Sequence, residues 1–204
     1  MLKFLALGDS YTIGEGVHLN QTWPHQLQQV MLKHHIPLAI PSIVAQTGWT
    51  SEELETALAK VRLKGPYDMV TLLIGVNDQY RGYPTESFEP VYNRLLVKAL
   101  KLAGGQSQNI LALSIPDWGI TPFANQHDSA QISASIDAFN QCATKLCQQK
   151  EIKFIDITDL TRELSVKPEM LVTDQLHPSA LQYANWVEAV IPSFKTAFQG
   201  VKSN

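Results

Sequence analysis

The chain has little cysteine, little charge and no long apolar run, and each scarcity narrows what it can be. Only Cys142 and Cys147 occur in 204 residues, five apart in a stretch of helical pattern. That spacing puts them on different faces of a helix and outside disulfide geometry. Two free thiols in a reducing compartment are expected. Neither has a candidate base beside it, so both read as small buried hydrophobes rather than nucleophiles. Charged residues make up 17% of the chain and the net charge is −3, with no run of Lys or Arg to track phosphates. A nucleic-acid partner is therefore not expected. Nothing approaches the roughly 20 apolar residues that span a bilayer, which argues against stable membrane insertion. The opening residues 1–7 are apolar apart from Lys3, but Asp9 cuts them off too early for an export signal, and no small-residue cleavage site follows. A cytoplasmic protein is the expectation. His18, His25, His34, His35 and His127 lack the spacing of a metal site, so no metal is expected either.

What is abundant is core-forming residues: hydrophobic side chains are 45% of the chain. With no biased tract, repeat or linker, residues 1–204 read as one domain able to bury a substantial core. Short apolar runs alternate with longer amphipathic stretches, the pattern of strand and helix laid down in turn. Residues 2–7, 37–44, 69–74, 110–115 and 153–157 are of strand length. They are rich in Leu, Ile and Val without clean alternation, as parallel strands covered on both faces would be. Residues 22–34, 51–63, 87–102, 130–150 and 179–198 read as helices. Thr50 or Ser51 is placed to cap the second helix with Glu53 or Glu55, and Gly104-Gly105 ends the third. Two loops after strands carry aromatic residues. They are 77–85, with Tyr80, Arg81 and Tyr83, and 116–126, with Trp118 and Phe123. In an open parallel sheet, ligands bind beyond the carboxyl ends of the strands, so these loops are expected to wall a site. No helix face stands out as an oligomer interface, and the sequence assigns no oligomeric state.

The chemistry gathers at four places. The first strand stops at Gly8-Asp9-Ser10, where Gly8 permits a tight bend and Ser10 presents its hydroxyl and N–H to solvent. Serine is a poor nucleophile alone; it needs a base and an acid that fixes the imidazole tautomer. Asp174 and His177 supply both, three residues apart. Gln46-Thr47-Gly48 follows the second strand, where Gly48 offers an unobstructed N–H. Gly75-Val76-Asn77-Asp78 follows the third and carries the Asn77 amide toward the same cleft. Ser10 N–H, Gly48 N–H and the Asn77 side chain are thus candidate donors to an oxyanion. Asp9 and Asp78 read as structural carboxylates that hold loop N–H groups. Tyr80, Trp118 and Phe123 are candidates for an acyl pocket, and Arg81 for an anionic part of the substrate.

These residues resemble the SGNH hydrolases, also called the GDSL esterases and lipases. The match comprises Gly8-Asp9-Ser10-Tyr11, Gly48, Gly75-Val76-Asn77-Asp78 and Asp174-Gln175-Leu176-His177-Pro178, all in family order across most of the chain. Tyr11 stands where the motif that names the family has Leu. The resemblance implies a three-layer α/β/α fold, flavodoxin-like, with a five-stranded parallel sheet. It also implies cofactor-free hydrolysis of small-molecule carboxylic esters through an acyl-enzyme on Ser10. With no apolar lid insertion, short acyl groups are expected. The alternatives are lysophospholipase or thioesterase action on longer acyl chains, carbohydrate O-deacetylation, or a binding module that has lost catalysis. A flavodoxin-like phosphate or flavin site is disfavoured, because Asp9 sets a carboxylate where the phosphate would lie.

Overall fold

The computed structural model describes residues 1–198. Five strands, β1 (Phe4–Gly8), β2 (Ser42–Ala45), β3 (Met69–Leu73), β4 (Ile110–Leu113) and β5 (Lys153–Ile155), lie in the order β2-β1-β3-β4-β5. Every pairing is parallel. Every residue of β1, β3 and β4 is buried, which is why these strands carry no polar alternation in sequence. The helices are α1 (Ser10–Ile13), α2 (Trp23–Lys33), α3 (Ser51–Lys60), α4 (Val76–Tyr80), α5 (Thr85–Leu102), α6 (Ser129–Gln148), α7 (Thr158–Leu164) and α8 (Ala180–Phe198). They flank the sheet, with α2 packed on α8 and α5 packed on both α3 and α6. The result is the expected α/β/α sandwich with flavodoxin-like strand order. In that order the chain reverses direction across the sheet between β1 and β3, and a crevice opens beyond their carboxyl ends.

One continuous core runs from Phe4 through Trp23, Leu72 and Leu113 to Trp186 and Phe194. Phe4 and Phe194 meet edge to face at 6.4 Å. Side chains of this size stabilise the fold by about 1.5–3 kcal/mol each when fully buried. The two cysteines are free, Cys142 half-buried and Cys147 buried. Burial pushes the Cys147 thiol up to about 12, which keeps it a protonated core residue. Among the described residues no helix is long and apolar enough to cross a membrane.

The structure departs from the sequence expectation in three ways. The second strand, expected over 37–44, is ordered only at Ser42–Ala45, preceded by a single bridge from Leu2 to Leu38. Pro37 and Pro41 lack the N–H that a ladder needs, so pairing starts only after the second of them. The loop expected over 77–85 instead opens inside α4, and α5 begins at Thr85 rather than at 87. Helices α1, α4 and α7 were not expected at all: at four, five and seven residues they are too short to show a helical repeat. The final six residues of the expected domain lie outside the described residues.

Candidate active site

Strand β1 ends at Gly8, and the close packing there leaves room for nothing larger. A Cβ on Gly8 would lie 2.2 Å from Thr12 Oγ1 and 2.4 Å from the Leu73 carbonyl of β3. The chain turns straight from strand into α1, with Asp9 as N-cap: its carboxylate accepts from Tyr11 N–H at 3.0 Å. Ser10 is thereby the first residue of a helix, buried, with its side chain at the carboxyl end of the sheet.

The last turn before α8 comes to meet it. Ser10 Oγ lies 2.9 Å from His177 Nε2, and His177 Nδ1 lies 2.7 Å from Asp174 Oδ2. A carboxylate can only accept, so the imidazole proton sits on Nδ1, and the lone pair of Nε2 faces the serine hydroxyl. Asp174 Oδ1 also accepts from the N–H groups of Leu176 and His177, both at 2.9 Å. This tight loop needs Gln175 in the left-handed region, at φ 61. Burial acts to raise the Asp174 pKa, but the His177 ring and the two backbone donors outweigh it. The carboxyl lies below its ordinary value and stays ionised. Tyr11 backs the imidazole, its ring 5.3 Å from that of His177 and 6.1 Å from Trp186.

Gly48 and Asn77 reach the same place from β2 and β3. Gly48 sits in the turn before α3 at φ +83, with nothing within 4 Å of where a Cβ would be. Asn77 is in the first turn of α4 and donates one Nδ2 hydrogen to the Trp49 carbonyl at 3.0 Å, which leaves its second hydrogen for a ligand. Asp78 ties the two loops from below, accepting from Ser51 N–H at 2.8 Å and Ser51 Oγ at 2.6 Å. Burial raises the pKa of this carboxyl despite those bonds. Asp9 is more extreme. Fully buried, with Oδ2 lacking any partner, it is pushed up to about 8 by desolvation and secondarily by Asp78.

Ser10, Gly48, Asn77 and His177 all border one pocket of ≈ 210 Å³. Tyr80, Trp118 and Phe123 line it too, as their loops suggested. The Trp118 ring stands 5.2 Å from Tyr80 and 6.1 Å from Phe123, and its Nε1–H donates to Gln79 Oε1 at 2.7 Å. Tyr80 is 52% exposed and Phe123 41%, so the pocket opens to solvent between them. Thr47, Val76, Tyr11 and Leu176 complete the lining. They stand inside the four motif blocks, but sequence reasoning gave them no place in the pocket; their adjacency to Gly48, Asn77, Ser10 and His177 was the signal available.

Arg81 is placed differently from the expectation. It is not part of the pocket lining. Its Nη2 donates to the Gly48 carbonyl at 2.7 Å and pairs with Glu53 at 3.1 Å. Glu53 is brought there by the capping box it forms with Thr50 at the start of α3. The guanidinium thus has protein partners on Nη2, outside the pocket lining where the substrate contact was expected. Among the described residues, no group of three His, Cys, Asp or Glu side chains is arranged to hold a metal ion.

Comparison with known proteins places the chain among ester hydrolases. The sequence profile of the GDSL-like lipase/acylhydrolase family matches residues 6–184. An arylesterase of Vibrio mimicus is 24% identical over 179 residues, covering 86% of this chain and 80% of that protein. Among solved structures, TesA superposes with a TM-score of 0.77 at 18% identity, over 96% of this chain and 99% of the other. The acetyl xylan esterase AlAXEase gives 0.74 at 18% identity over 94% and 99%. The esterase EstA from Pseudoalteromonas sp. gives 0.71 at 17% identity over 98% and 100%. At these identities the structural likeness establishes a shared fold.

Proposed function

Since the chain belongs to the GDSL-like lipase/acylhydrolase family, and is accordingly a carboxylic ester hydrolase, we propose that Ser10 is its nucleophile and that it cleaves short-acyl esters through an acyl-enzyme. In this reading His177 Nε2 takes the Ser10 proton as Oγ attacks the ester carbonyl. Asp174 holds the Nδ1–H tautomer and stabilises the imidazolium. Ser10 N–H, Gly48 N–H and the free Asn77 amide hydrogen receive the oxyanion. The alcohol leaves with the proton from His177. Water, deprotonated by the same base, then releases the acid.

The observation that carries the proposal is the unbroken line Ser10 Oγ–His177 Nε2 at 2.9 Å and His177 Nδ1–Asp174 at 2.7 Å, with Gly48 and Asn77 bordering the same pocket. The preference for short acyl groups rests on size. At ≈ 210 Å³ the pocket is smaller than the roughly 300–1,000 Å³ that drug-sized ligands fill, and the buried Trp118 walls it. An acetyl ester of a carbohydrate is a second reading favoured by the same dimension, with the exposed Tyr80 ring beside the opening for the sugar. One continuous core supports treating the chain as a single domain, and the two free thiols fit the cytoplasm.

The test is hydrolysis of p-nitrophenyl esters from acetate to palmitate, alongside Ser10→Ala. Activity peaking at acetate or butyrate and lost in the variant is the expected result. A peak at long chains would move the reading to longer-acyl substrates. Full activity in Ser10→Ala would overturn the nucleophile assignment.

A further inference from the structure

The turn that carries Gly48 lacks what fixes the other parts of the site. Gly8 is wedged between Thr12 and the Leu73 carbonyl, whereas the space around Gly48 is open and its φ of +83 is one that glycine enters and leaves freely. Polar ties from other elements replace steric support. Thr47 Oγ1 donates to the Glu15 carboxylate. Arg81 Nη2 donates to the Gly48 carbonyl at 2.7 Å, and Asn77 Nδ2 to the Trp49 carbonyl at 3.0 Å. Ser51 is bonded to Asp78. Asn77 and Arg81 are one helical turn apart, joined by Arg81 N–H donating to the Asn77 carbonyl at 3.0 Å. Two donors, from the first turn and the C-cap of the short α4, thus grip two consecutive carbonyls of the turn.

We infer that Arg81 is a positioning residue, whose guanidinium holds the Gly48–Trp49 peptide and so keeps the Gly48 N–H aimed at the developing oxyanion. The inference rests on the assignment of Gly48 as an oxyanion donor. Glu53 completes the device: its Oε2 accepts from Thr50 N–H at 2.8 Å and from Arg81 at 3.1 Å, so the fork is held from the α3 side as well. A single guanidinium nitrogen, Nη2, serves carbonyl and carboxylate at once. Arg81 and Glu53 are 40% and 45% exposed, so as a surface pair they contribute little to stability. Their effect should fall on turnover.

The experiment measures kcat and KM on p-nitrophenyl butyrate, and affinity for a tetrahedral trifluoromethyl ketone analogue. It uses Arg81→Ala, Arg81→Lys, Asn77→Ala and Ser10→Ala. Loss of a whole oxyanion donor costs about a hundredfold to a thousandfold in kcat. A loosened donor is expected to cost about tenfold in Arg81→Ala, with KM within about twofold and analogue affinity falling in step with kcat. Arg81→Lys should recover part of that loss. Unchanged kcat and analogue affinity in Arg81→Ala would overturn the inference, as would a rise in KM at constant kcat, which marks a substrate contact. Should Arg81→Ala fail to fold, Arg81→Met, which keeps the stem but has no donor, decides in its place: wild-type kcat and analogue affinity would overturn the inference. If Asn77→Ala is also without effect while Ser10→Ala is dead, the oxyanion assignment itself has failed rather than the role of Arg81.

Discussion

Gly8 and Gly48 stand at or just beyond the ends of paired neighbouring strands and serve the turns that bring Ser10 and Gly48 to one pocket, yet they are held by different forces. On the β1 side the turn is fixed by packing. Thr12, Leu73 and the N-cap Asp9 leave one conformation for the backbone that presents Ser10. On the β2 side nothing lies within 4 Å of where a Gly48 Cβ would be, and hydrogen bonds with Arg81, Asn77 and Glu15 do the fixing, above a buried anchor between Ser51 and Asp78. Packing gives rigidity without reference to solvent but desolvates whatever polar group lies inside it. Surface hydrogen bonds leave their groups solvated, and hold an open turn only as long as every partner is present. The first arrangement suits the nucleophile role proposed for Ser10, which must meet His177 at one distance. The second suits the donor role proposed for Gly48 at the edge of an open pocket.

The comparison can be broken most severely at the imidazole. Asp174→Asn keeps the size of the group but no longer requires the proton on Nδ1. Turnover is expected to fall by about ten-thousandfold with the fold intact, checked by kcat on a short ester and by circular dichroism. The difference between the two glycines is sharpened by paired variants. Gly8→Ala drives a methyl into Thr12 and the Leu73 carbonyl and should destabilise the protein by about 3 kcal/mol. Gly48→Ala meets no atom and carries only the strain of its positive φ, about 1 kcal/mol. Urea denaturation of both variants measures the gap. Equal losses would mean the two turns are held alike.

Asp9 exposes the drawback of the packed side. Its carboxyl is raised by burial from 3.8 to about 8, so between those values the folded protein keeps a proton that the unfolded chain has released. Stability contributed by this group therefore falls as pH rises through that window and levels off above it. Asp174 has the opposite sign: its depressed carboxyl stabilises the fold above the unfolded value, and that contribution is lost as pH falls through the folded one. Urea midpoints at pH 5 and pH 8 should show the wild type weaker at the higher pH. Asp9→Asn, which cannot ionise, should flatten the slope. A slope unchanged by Asp9→Asn would show that the buried carboxyl is not its source.

Much of this was legible because it is local. Strands β1 and β3 announce themselves as apolar runs, since a strand covered on both faces has no room for polar alternation. Asp174 and His177 stand three apart because one tight loop must bring both side chains to the same side. Tyr80, Trp118 and Phe123 were expected in the pocket from loops that follow strands, and they line it. The contacts of Arg81 were not legible, because its partners, Gly48 and Glu53, lie 33 and 28 positions away in the neighbouring turn and the first turn of α3. Nothing near Arg81 in sequence points to them. Helix α4 escaped notice because its few residues are held by Asp78 and its neighbours rather than by any repeat of their own.

The number of strands, the class of fold and the candidate residues of the serine site were legible in the sequence itself, because apolar length and short motifs are properties of neighbouring residues. The tertiary structure alone decided how large the pocket is, which side of the site is packed and which is tied by charge, and that burial raises the Asp9 carboxyl. Those depend on atoms from β1, β2, β3 and the His177 loop arriving at one place, and burial and hydrogen-bond geometry exist only after they have met.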